Sequence, residues 1–232
     1  MIIRWIPAAM IALATAGCTP ARIAVPNDIA TESEVILVTD RSRVSGALAD
    51  ESMSIGPYRV SEVDRKWTTT AGWSVLGFGS STSTGGYAYA FKAPGGAARG
   101  ECTTGVDSRG SSAGTGDVMI GIRSRVSQLA CRCTGAAANA ELLLEGAAAN
   151  KLSGRAEARG EKYTIEAIST LEGGASMGEP MGFQMRSSAA AAGAVETIHP
   201  GRLWLARSLP APAKDDLACL VAGLLLYKPS RR

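Results

Sequence analysis

The sequence is poor in the residues that build metal, catalytic and nucleic-acid sites. It has one histidine, His199, few aromatic residues, and 24 basic side chains that nearly balance 21 acidic ones. Lysine and arginine form no cluster apart from the last two residues, so we expect no nucleic-acid-binding surface. One histidine without a C-x-x-C pair gives no zinc pattern, and we expect no metal and no cofactor. Glycine is abundant, which favours many loops and small residues over a helical bundle.

The N-terminus has the order of a secretory signal peptide. Arg4 precedes an apolar stretch over 6–16, and small residues lie directly before Cys18. This pattern resembles the lipobox of bacterial lipoproteins, in which the cysteine thiol receives a diacylglycerol, the peptide is cleaved before it and the new amine is acylated. Thr15 departs from the leucine that is usual there. The resemblance implies that residues 1–17 are a signal peptide and that Cys18 is the lipid attachment site.

The same pattern sets the expected domain organisation and location. Residues 18–33 contain prolines and no apolar periodicity, so we interpret them as a lipidated tether. Residues 34–232 are long enough for a single β-rich domain. By analogy with lipoprotein sorting, Thr19 after the cysteine, rather than aspartate, indicates the outer membrane. We therefore expect the domain to face the periplasm of a Gram-negative cell envelope.

Four further cysteines belong to the predicted domain. An exported chain meets an oxidising compartment, where paired cysteines persist as disulfides. Cys131 and Cys133 are two residues apart and share one face if they lie on a strand, so they cannot easily bond each other. At least one of them is expected to bond Cys102, with free buried thiols as the alternative. Cys219 lies in an apolar run and is expected to be buried and unpaired.

About eleven short segments have the composition of β-strands. The clearest is the alternation of Tyr87, Tyr89 and Phe91 with small residues. Because no amphipathic helix separates these segments, we predict an antiparallel closed barrel of about 11–12 strands, with a β-sandwich and one packed helix as the alternative. Two stretches rich in glycine, serine and threonine, 77–86 and 107–117, are predicted to be mobile hairpin loops.

The C-terminal segment has a different pattern. Pro210 and two aspartates precede the uncharged, largely apolar run 217–227, and Lys228 follows it, as is typical of a helix start and stop. A helix that is apolar on every side must be surrounded by protein or lipid. At 1.5 Å per residue this one spans about 16–20 Å, which is too short to cross a bilayer. We predict a buried core helix.

About a dozen short strands closed by one apolar C-terminal helix resemble the tubby-like barrel superfamily, which includes tubby C-terminal domains, LURP-one proteins and phospholipid scramblases. The resemblance covers roughly residues 34–228 and rests on element order and on the run 217–227. The stretch 195–206 fits the penultimate hairpin. The resemblance implies a barrel threaded by its last helix. No residues match the phosphoinositide pocket of tubby domains, so neither headgroup binding nor scrambling is carried over.

One short motif resembles a catalytic one. Residues 174–178 match G-x-S-x-G, the nucleophile elbow of serine hydrolases, which needs Ser176 on a sharp turn between a strand and a helix. No helix pattern follows, and His199 is the sole candidate base. We therefore interpret the motif as a hairpin turn and assign His199 a structural role beside a turn.

The sequence thus predicts an envelope lipoprotein without catalytic activity, whose domain binds or scaffolds another envelope protein. The expected partners are the membrane, through the lipid on Cys18, and an envelope protein; no small-molecule ligand is expected. Two alternatives stay open. One is a module that holds a lipid or another apolar ligand inside the barrel, and the other is a serine hydrolase that uses Ser176.

Overall fold

The computed structural model describes residues 21–41, 51–75, 78–113, 120–146, 152–188 and 190–228, so the predicted signal peptide and Cys18 lie outside the described residues. The described residues form twelve strands and two helices. The strands are β1 Ser33–Thr39, β2 Met53–Ile55, β3 Tyr58–Val75, β4 Phe78–Ala93, β5 Gly96–Ala113, β6 Ile120–Gly135, β7 Asn139–Gly146, β8 Ser153–Ala158, β9 Glu161–Ile168, β10 Gly182–Ser187, β11 Ala191–Glu196 and β12 Arg202–Ala206. The helices are α1 Asn27–Glu32 and α2 Ala211–Leu226.

The twelve strands form one closed antiparallel barrel. Each strand pairs with its neighbours in the sequence, and β1 closes the ring by pairing with both β12 and β2. Closure leaves the barrel without a free edge, which removes the unpaired backbone groups of an open sheet. The predicted barrel is confirmed, and the alternative of a β-sandwich is wrong.

The pleat of a β-strand directs successive side chains to opposite faces, and β7 shows the resulting alternation of burial most clearly. In β7, Ala140, Leu142 and Leu144 are buried, whereas Glu141 and Glu145 between and beside them are exposed. This is the period of two expected for a strand with one face toward a core. All twelve strands contribute buried side chains to one cluster that also contains α2.

Helix α2 occupies the interior of the barrel. Every residue from Asp215 to Leu226 is buried, so the helix is covered on all of its sides. A barrel of twelve strands is wide enough that side chains alone would leave a void, and a helix fills it. The prediction of a buried core helix is confirmed. Within the described residues, no helix has the length and apolarity needed to span a bilayer.

The two ends of the barrel differ in what they carry. We call the end where α2 finishes, at Leu226, the mouth, and the end where α2 begins the base. Because all pairs are antiparallel, the odd-numbered strands run toward the mouth and the even-numbered strands run away from it. Loops that follow odd-numbered strands therefore lie at the mouth.

The N-terminal segment packs on the outside of the barrel rather than serving as a tether. Ile23 and Ile29 are completely buried in a second cluster against β9, β11 and β12. The Ile23 backbone N–H donates to Oε1 of the buried Glu196 at 3.0 Å. The prediction that 18–33 is a tether is thus wrong for residues 23–33. Two isoleucines spaced too far apart to show a period nevertheless bury enough apolar surface to dock the segment.

Four strands continue beyond the mouth as a separate sheet. After Lys66 on β3 and before Ser127 on β6, the four strands β3–β6 pair only with one another. The pairing continues to Val75 opposite Phe78 and to Ala113 opposite Ile120. We call this part the extension: residues 67–75, 78–85, 106–113 and 120–126. The predicted loops 77–86 and 107–117 are therefore wrong for 78–86 and 107–113, while 77 and 114–117 lie outside the described residues. Ladder pairing on both sides outweighs the weak strand propensity of glycine and serine.

Two disulfides lie inside the barrel. Cys102 on β5 is bonded to Cys131, its register partner on β6, as the spacing of the cysteines predicted. Cys133 is bonded to Cys219 on α2. The expectation that Cys219 is unpaired is wrong, although it is completely buried. Its partner could not be found from the sequence, because 86 positions separate the two cysteines.

Candidate functional site at the mouth of the barrel

A cluster of charged side chains surrounds the end of α2 at the mouth. Arg41 follows β1, Glu51 precedes β2, Arg65 lies on β3 and Lys228 follows α2. With His199 from the β11–β12 loop, they line a cavity of about 180 Å³ whose apolar wall is Met53, Leu225 and Leu226.

Arg41 ties the helix to the loop between β11 and β12. Its guanidinium donates to the carbonyl oxygens of Thr197 at 2.9 Å, Pro200 at 3.3 Å and Leu225. The backbone carbonyl of Arg41 lies 2.9 Å from Nε2 of His199. Burial lowers the pKa of Arg41, and the charge of Glu51 opposes that shift. An arginine stays protonated in either case.

Glu51 and Arg65 form the central ion pair of the cluster. Nε of Arg65 lies 3.1 Å and its terminal nitrogen 2.7 Å from Oε2 of Glu51, while Lys228 approaches Oε1 at 3.6 Å. Burial raises the pKa of Glu51, but the hydrogen bonds from Arg65 and the charges of Arg65 and Lys228 outweigh it and bring that pKa below its usual value. The carboxylate is therefore ionised at neutral pH.

The cluster stabilises the C-terminal end of α2. The last carbonyls of a helix lack intrahelical partners and carry a partial negative charge. Arg41 donates to the carbonyl of Leu225, and Arg65 donates to that of Leu226 at 3.1 Å. At the base, where the helix begins, the backbone N–H of Asn139 donates to the buried Asp216, and Arg159 lies 2.8 Å from it. Each end of the enclosed helix thus meets charged side chains.

The chemistry available at the mouth is that of a cationic surface. Three cations face one carboxylate, so the cavity suits an anionic or polar group of a partner better than a cation. Among the described residues, no group of three or more histidine, cysteine, aspartate or glutamate side chains could hold a metal ion.

The G-x-S-x-G motif at 174–178 does not have the geometry of a nucleophile elbow. Ser176 is exposed in the β9–β10 connection, where it forms an isolated bridge with Thr170. Gly173 and Gly174 have positive φ, which turns the chain back on itself. Strand β10 follows, not a helix. The motif is a turn, as the sequence predicted, and His199 belongs to the mouth beside a cis peptide bond to Pro200.

The other predicted site residue, Cys18, lies outside the described residues, but the structure gives the point at which its segment leaves the barrel. Ile23 bridges Leu171, which follows β9, and the backbone N–H of Glu172 donates to the carbonyl of Arg22. Both contacts are at the mouth. The N-terminal segment therefore reaches the barrel at the same end as the charged cluster and the extension.

The sequence did not predict that the charged residues of the mouth lie close together. Arg41, Glu51 and Lys228 are far apart in the sequence, and nothing in their spacing links them. Arg65 is half-buried, and its guanidinium carbon lies 5.4 Å from the centre of the Tyr87 ring. The position of Arg65 beside Tyr87 follows from the pairing of β3 with β4, which the sequence does not show.

Comparison with protein-family models, with curated proteins and with solved structures finds no match to this chain.

Proposed function

We propose that this protein is a lipid-anchored domain without catalytic activity that binds or scaffolds another protein of the bacterial envelope, at the periplasmic side of the outer membrane. The observation that carries the proposal is the order of the first eighteen residues: one positive charge, an apolar run, small residues and then Cys18. Several acyl chains on one cysteine would hold the domain stably at the membrane, where a single chain would be marginal.

Two features of the domain support this proposal. Disulfides persist in oxidising compartments, and the barrel contains two of them. In addition, α2 and the side chains around it occupy the interior of the barrel. An occupied interior favours recognition by the outer surface and the mouth over an apolar ligand held inside the barrel.

We also propose that the domain shares its ancestry with the tubby-like barrels. The support is the order of elements: twelve antiparallel strands in a closed ring, followed by one enclosed helix at the C-terminus. Architecture alone carries no activity across, so this relationship adds nothing to the choice of partner.

The test of the anchor is Cys18→Ser in the full chain. Wild-type protein should sediment with membranes, and its mature N-terminus should have the mass of an acylated cysteine. Cys18→Ser should keep its signal peptide or appear in the soluble fraction. Thr15→Leu restores the usual lipobox residue and should leave acylation intact. If Cys18→Ser protein whose signal peptide has been removed stays membrane-bound after salt washing, the anchor lies elsewhere.

A second variant tests the membrane to which the protein is sorted. Thr19→Asp should remain acylated but shift from the outer to the inner membrane in a density gradient. Crosslinking in intact cells, with Cys18→Ser as the unanchored control, should then identify neighbours that depend on the anchor. Recovery of wild type in the inner membrane would contradict the proposed location.

A further inference from the structure

The cavity at the mouth has less negative charge than its cations require. Its described lining residues include three cations: Arg41, Arg65 and Lys228. Glu51 is the sole acid among those lining residues, and it is bonded to Arg65 at 2.7 Å. Lys228 lies 3.6 Å from the same carboxylate, which is too far for a hydrogen bond. One carboxylate therefore faces three positive charges.

Capping of the enclosed helix accounts for two of these cations but not for the third. Arg41 and Arg65 donate to the last two carbonyls of α2. Lys228 donates to no backbone carbonyl of the described residues, and its side chain is 48% exposed. Lys228 is thus the cation that can turn toward an incoming group while the helix end stays capped.

The charges around Lys228 favour a further anion. Burial lowers the pKa of Lys228, and the charges of Arg65 and Arg41 lower it further, whereas the charge of Glu51 opposes the shift. An opposite charge within about 4–6 Å favours the charged form of such a group. An anion bound beside Lys228 would therefore offset both the burial and the repulsion.

The apolar part of the lining indicates what kind of anion fits. Met53, Leu225 and Leu226 line the same cavity, whose volume is about 180 Å³. At about 30 Å³ for each water molecule, this leaves room for about six non-hydrogen atoms. A carboxylate has two oxygens at one end and carbon at the other, so it can meet cations and apolar side chains together. A phosphate has oxygen on every side and would place some of it against the leucines, which costs free energy.

We propose that the cavity at the mouth binds a carboxylate on a short aliphatic stem, which a protein partner supplies as a glutamate side chain or as its C-terminus. Lys228 pairs with the carboxylate, Arg41 and Arg65 add to the positive field, and the stem lies against the apolar lining. This inference deepens the proposed function and rests on it, because the envelope protein bound by the domain is the source of the carboxylate.

The first test uses butyrate, a four-carbon carboxylate, and butyramide, its uncharged analogue of the same shape. Full-length acylated protein in dodecyl maltoside micelles, labelled with carbon-13 at its methionine methyl groups, is titrated at constant ionic strength. The Met53 signal, which Met53→Leu identifies by its loss, should shift saturably with butyrate. Butyramide should bind at least about ten-fold more weakly, because it has no charge to pair with Lys228.

Two variants of the cavity should change butyrate binding in opposite directions. Lys228→Met should weaken it by about three- to five-fold, and Glu51→Gln should strengthen it by about as much, because that variant removes the competing carboxylate. Lys162→Met, at an exposed lysine of the base, is the matched control and should bind as wild type does. A purely structural role of Glu51 would make Glu51→Gln bind butyrate more weakly.

Two N-acetylated alanine peptides distinguish the sources of the carboxylate. One contains a single glutamate and has an amidated C-terminus, and the other has no glutamate and a free C-terminal carboxylate. A saturable shift of the Met53 signal with either peptide supports the inference and identifies the source. If butyrate shifts that signal and neither peptide does, the ligand is not a protein group and the inference is overturned.

Three other results would also contradict the inference. Equal binding of butyrate and butyramide would remove the role of charge, and equal binding by wild type and Lys228→Met would remove the role of that lysine. Tighter binding of inorganic phosphate than of butyrate would point to a phosphate-bearing ligand such as a lipid headgroup. Absence of acylation on Cys18 would instead overturn the proposed function and would leave the butyrate titration unchanged.

Discussion

Cys133 on β6 is disulfide-bonded to Cys219 on α2, so the enclosed helix is covalently attached to the wall of the barrel. The hydroxyl of Tyr89 donates to the carbonyl of the same Cys219 at 2.8 Å, and the hydroxyl of Tyr87 donates to that of Gly223 at 2.7 Å. Both hydroxyls are buried, and burial raises the pKa of each. The helix is thus held on one side by a covalent bond and by hydrogen bonds from one strand.

The Cys133–Cys219 disulfide should contribute more to the free energy of unfolding than the Cys102–Cys131 disulfide does. Replacing both Cys133 and Cys219 with alanine opens a loop of 86 residues, which should cost about 4–5 kcal/mol, against about 3–4 kcal/mol for the 29-residue loop of Cys102 and Cys131. Guanidinium unfolding in oxidising buffer measures both. With reductant, wild type should approach the variants. Equal midpoints for wild type and the Cys133/Cys219 variant without reductant would contradict the attachment.

Gly223→Ala should destabilise the protein even though alanine is the better helix former. A Cβ at this position would lie 2.9 Å from Sγ of Cys102, 3.0 Å from Sγ of Cys131 and 3.2 Å from the hydroxyl of Tyr89. Overpacking of this kind costs about 1–3 kcal/mol, which exceeds the gain of about 1 kcal/mol in helix propensity. Thermal unfolding should show the loss.

Two further variants separate packing from other effects of a methyl group at Gly223. Gly178→Ala adds a methyl where nothing lies within 4 Å, so its midpoint should stay near that of wild type. In a background that already carries Cys102→Ala and Cys131→Ala, Gly223→Ala should cost less stability than it does in wild type, because the sulfur atoms are gone. Additive losses in that combination would show that the close contact is not the cause.

Leu220→Asp should abolish folding, because it places an unpaired charge inside the barrel. Leu220 is 2% exposed in the centre of α2, whereas Leu37 on the outside of β1 is 61% exposed. Leu37→Asp is the matched control and should change the free energy of unfolding by less than about 0.5 kcal/mol. Circular dichroism and thermal unfolding distinguish the two. A Leu220→Asp protein with a normal melting temperature would mean that α2 is not the core.

Glu51→Gln should destabilise the protein by about 1–2 kcal/mol at pH 7, because it removes a charged acceptor from Arg65. The pKa of Glu51 is lowered in the folded protein, so the stability it adds is complete well above its usual value of 4.5 and is lost as the pH falls through the lower folded value. The difference between wild type and variant should therefore shrink in acid.

Unfolding at a series of pH values between 7 and 3 measures the contribution of Glu51. Glu101→Gln is the control, since Glu101 and its partner Arg99 are both more than half exposed and such pairs contribute little. A Glu51→Gln deficit that is the same at pH 7 and pH 3 would exclude the ion pair as its source.

Features that depend on residues close together in the sequence were predicted correctly. The alternation at Tyr87, Tyr89 and Phe91 predicts a strand, and the uniform apolarity of 217–227 predicts a helix covered on every side, because both patterns report how much of a local face must be buried. The Cys102–Cys131 bond could be predicted for the same reason, since two cysteines on one face of a strand need a partner on a neighbouring strand.

Features that depend on contacts between several secondary-structure elements were not predicted correctly from the sequence. Cys219 has the composition of a buried apolar residue, and only the position of α2 against β6 makes it a disulfide partner. The extension has the composition of two loops, because serine and glycine have weak strand propensity, and only the ladders of four neighbouring strands make it a sheet. Ile23 and Ile29 show no period and are docked by the outer face of the barrel.

The sequence by itself determined that the chain is rich in strands and carries an apolar helix, 217–227, that must be enclosed, and its first eighteen residues predict export and acylation. These properties follow from local spacing and from the free energy of burying apolar surface. Only the tertiary structure decided that the N-terminal segment, the charged cluster and the extension share the mouth of the barrel. That arrangement depends on strand direction and closure, which bring together residues separated by up to 184 positions, such as Arg41 and Leu225.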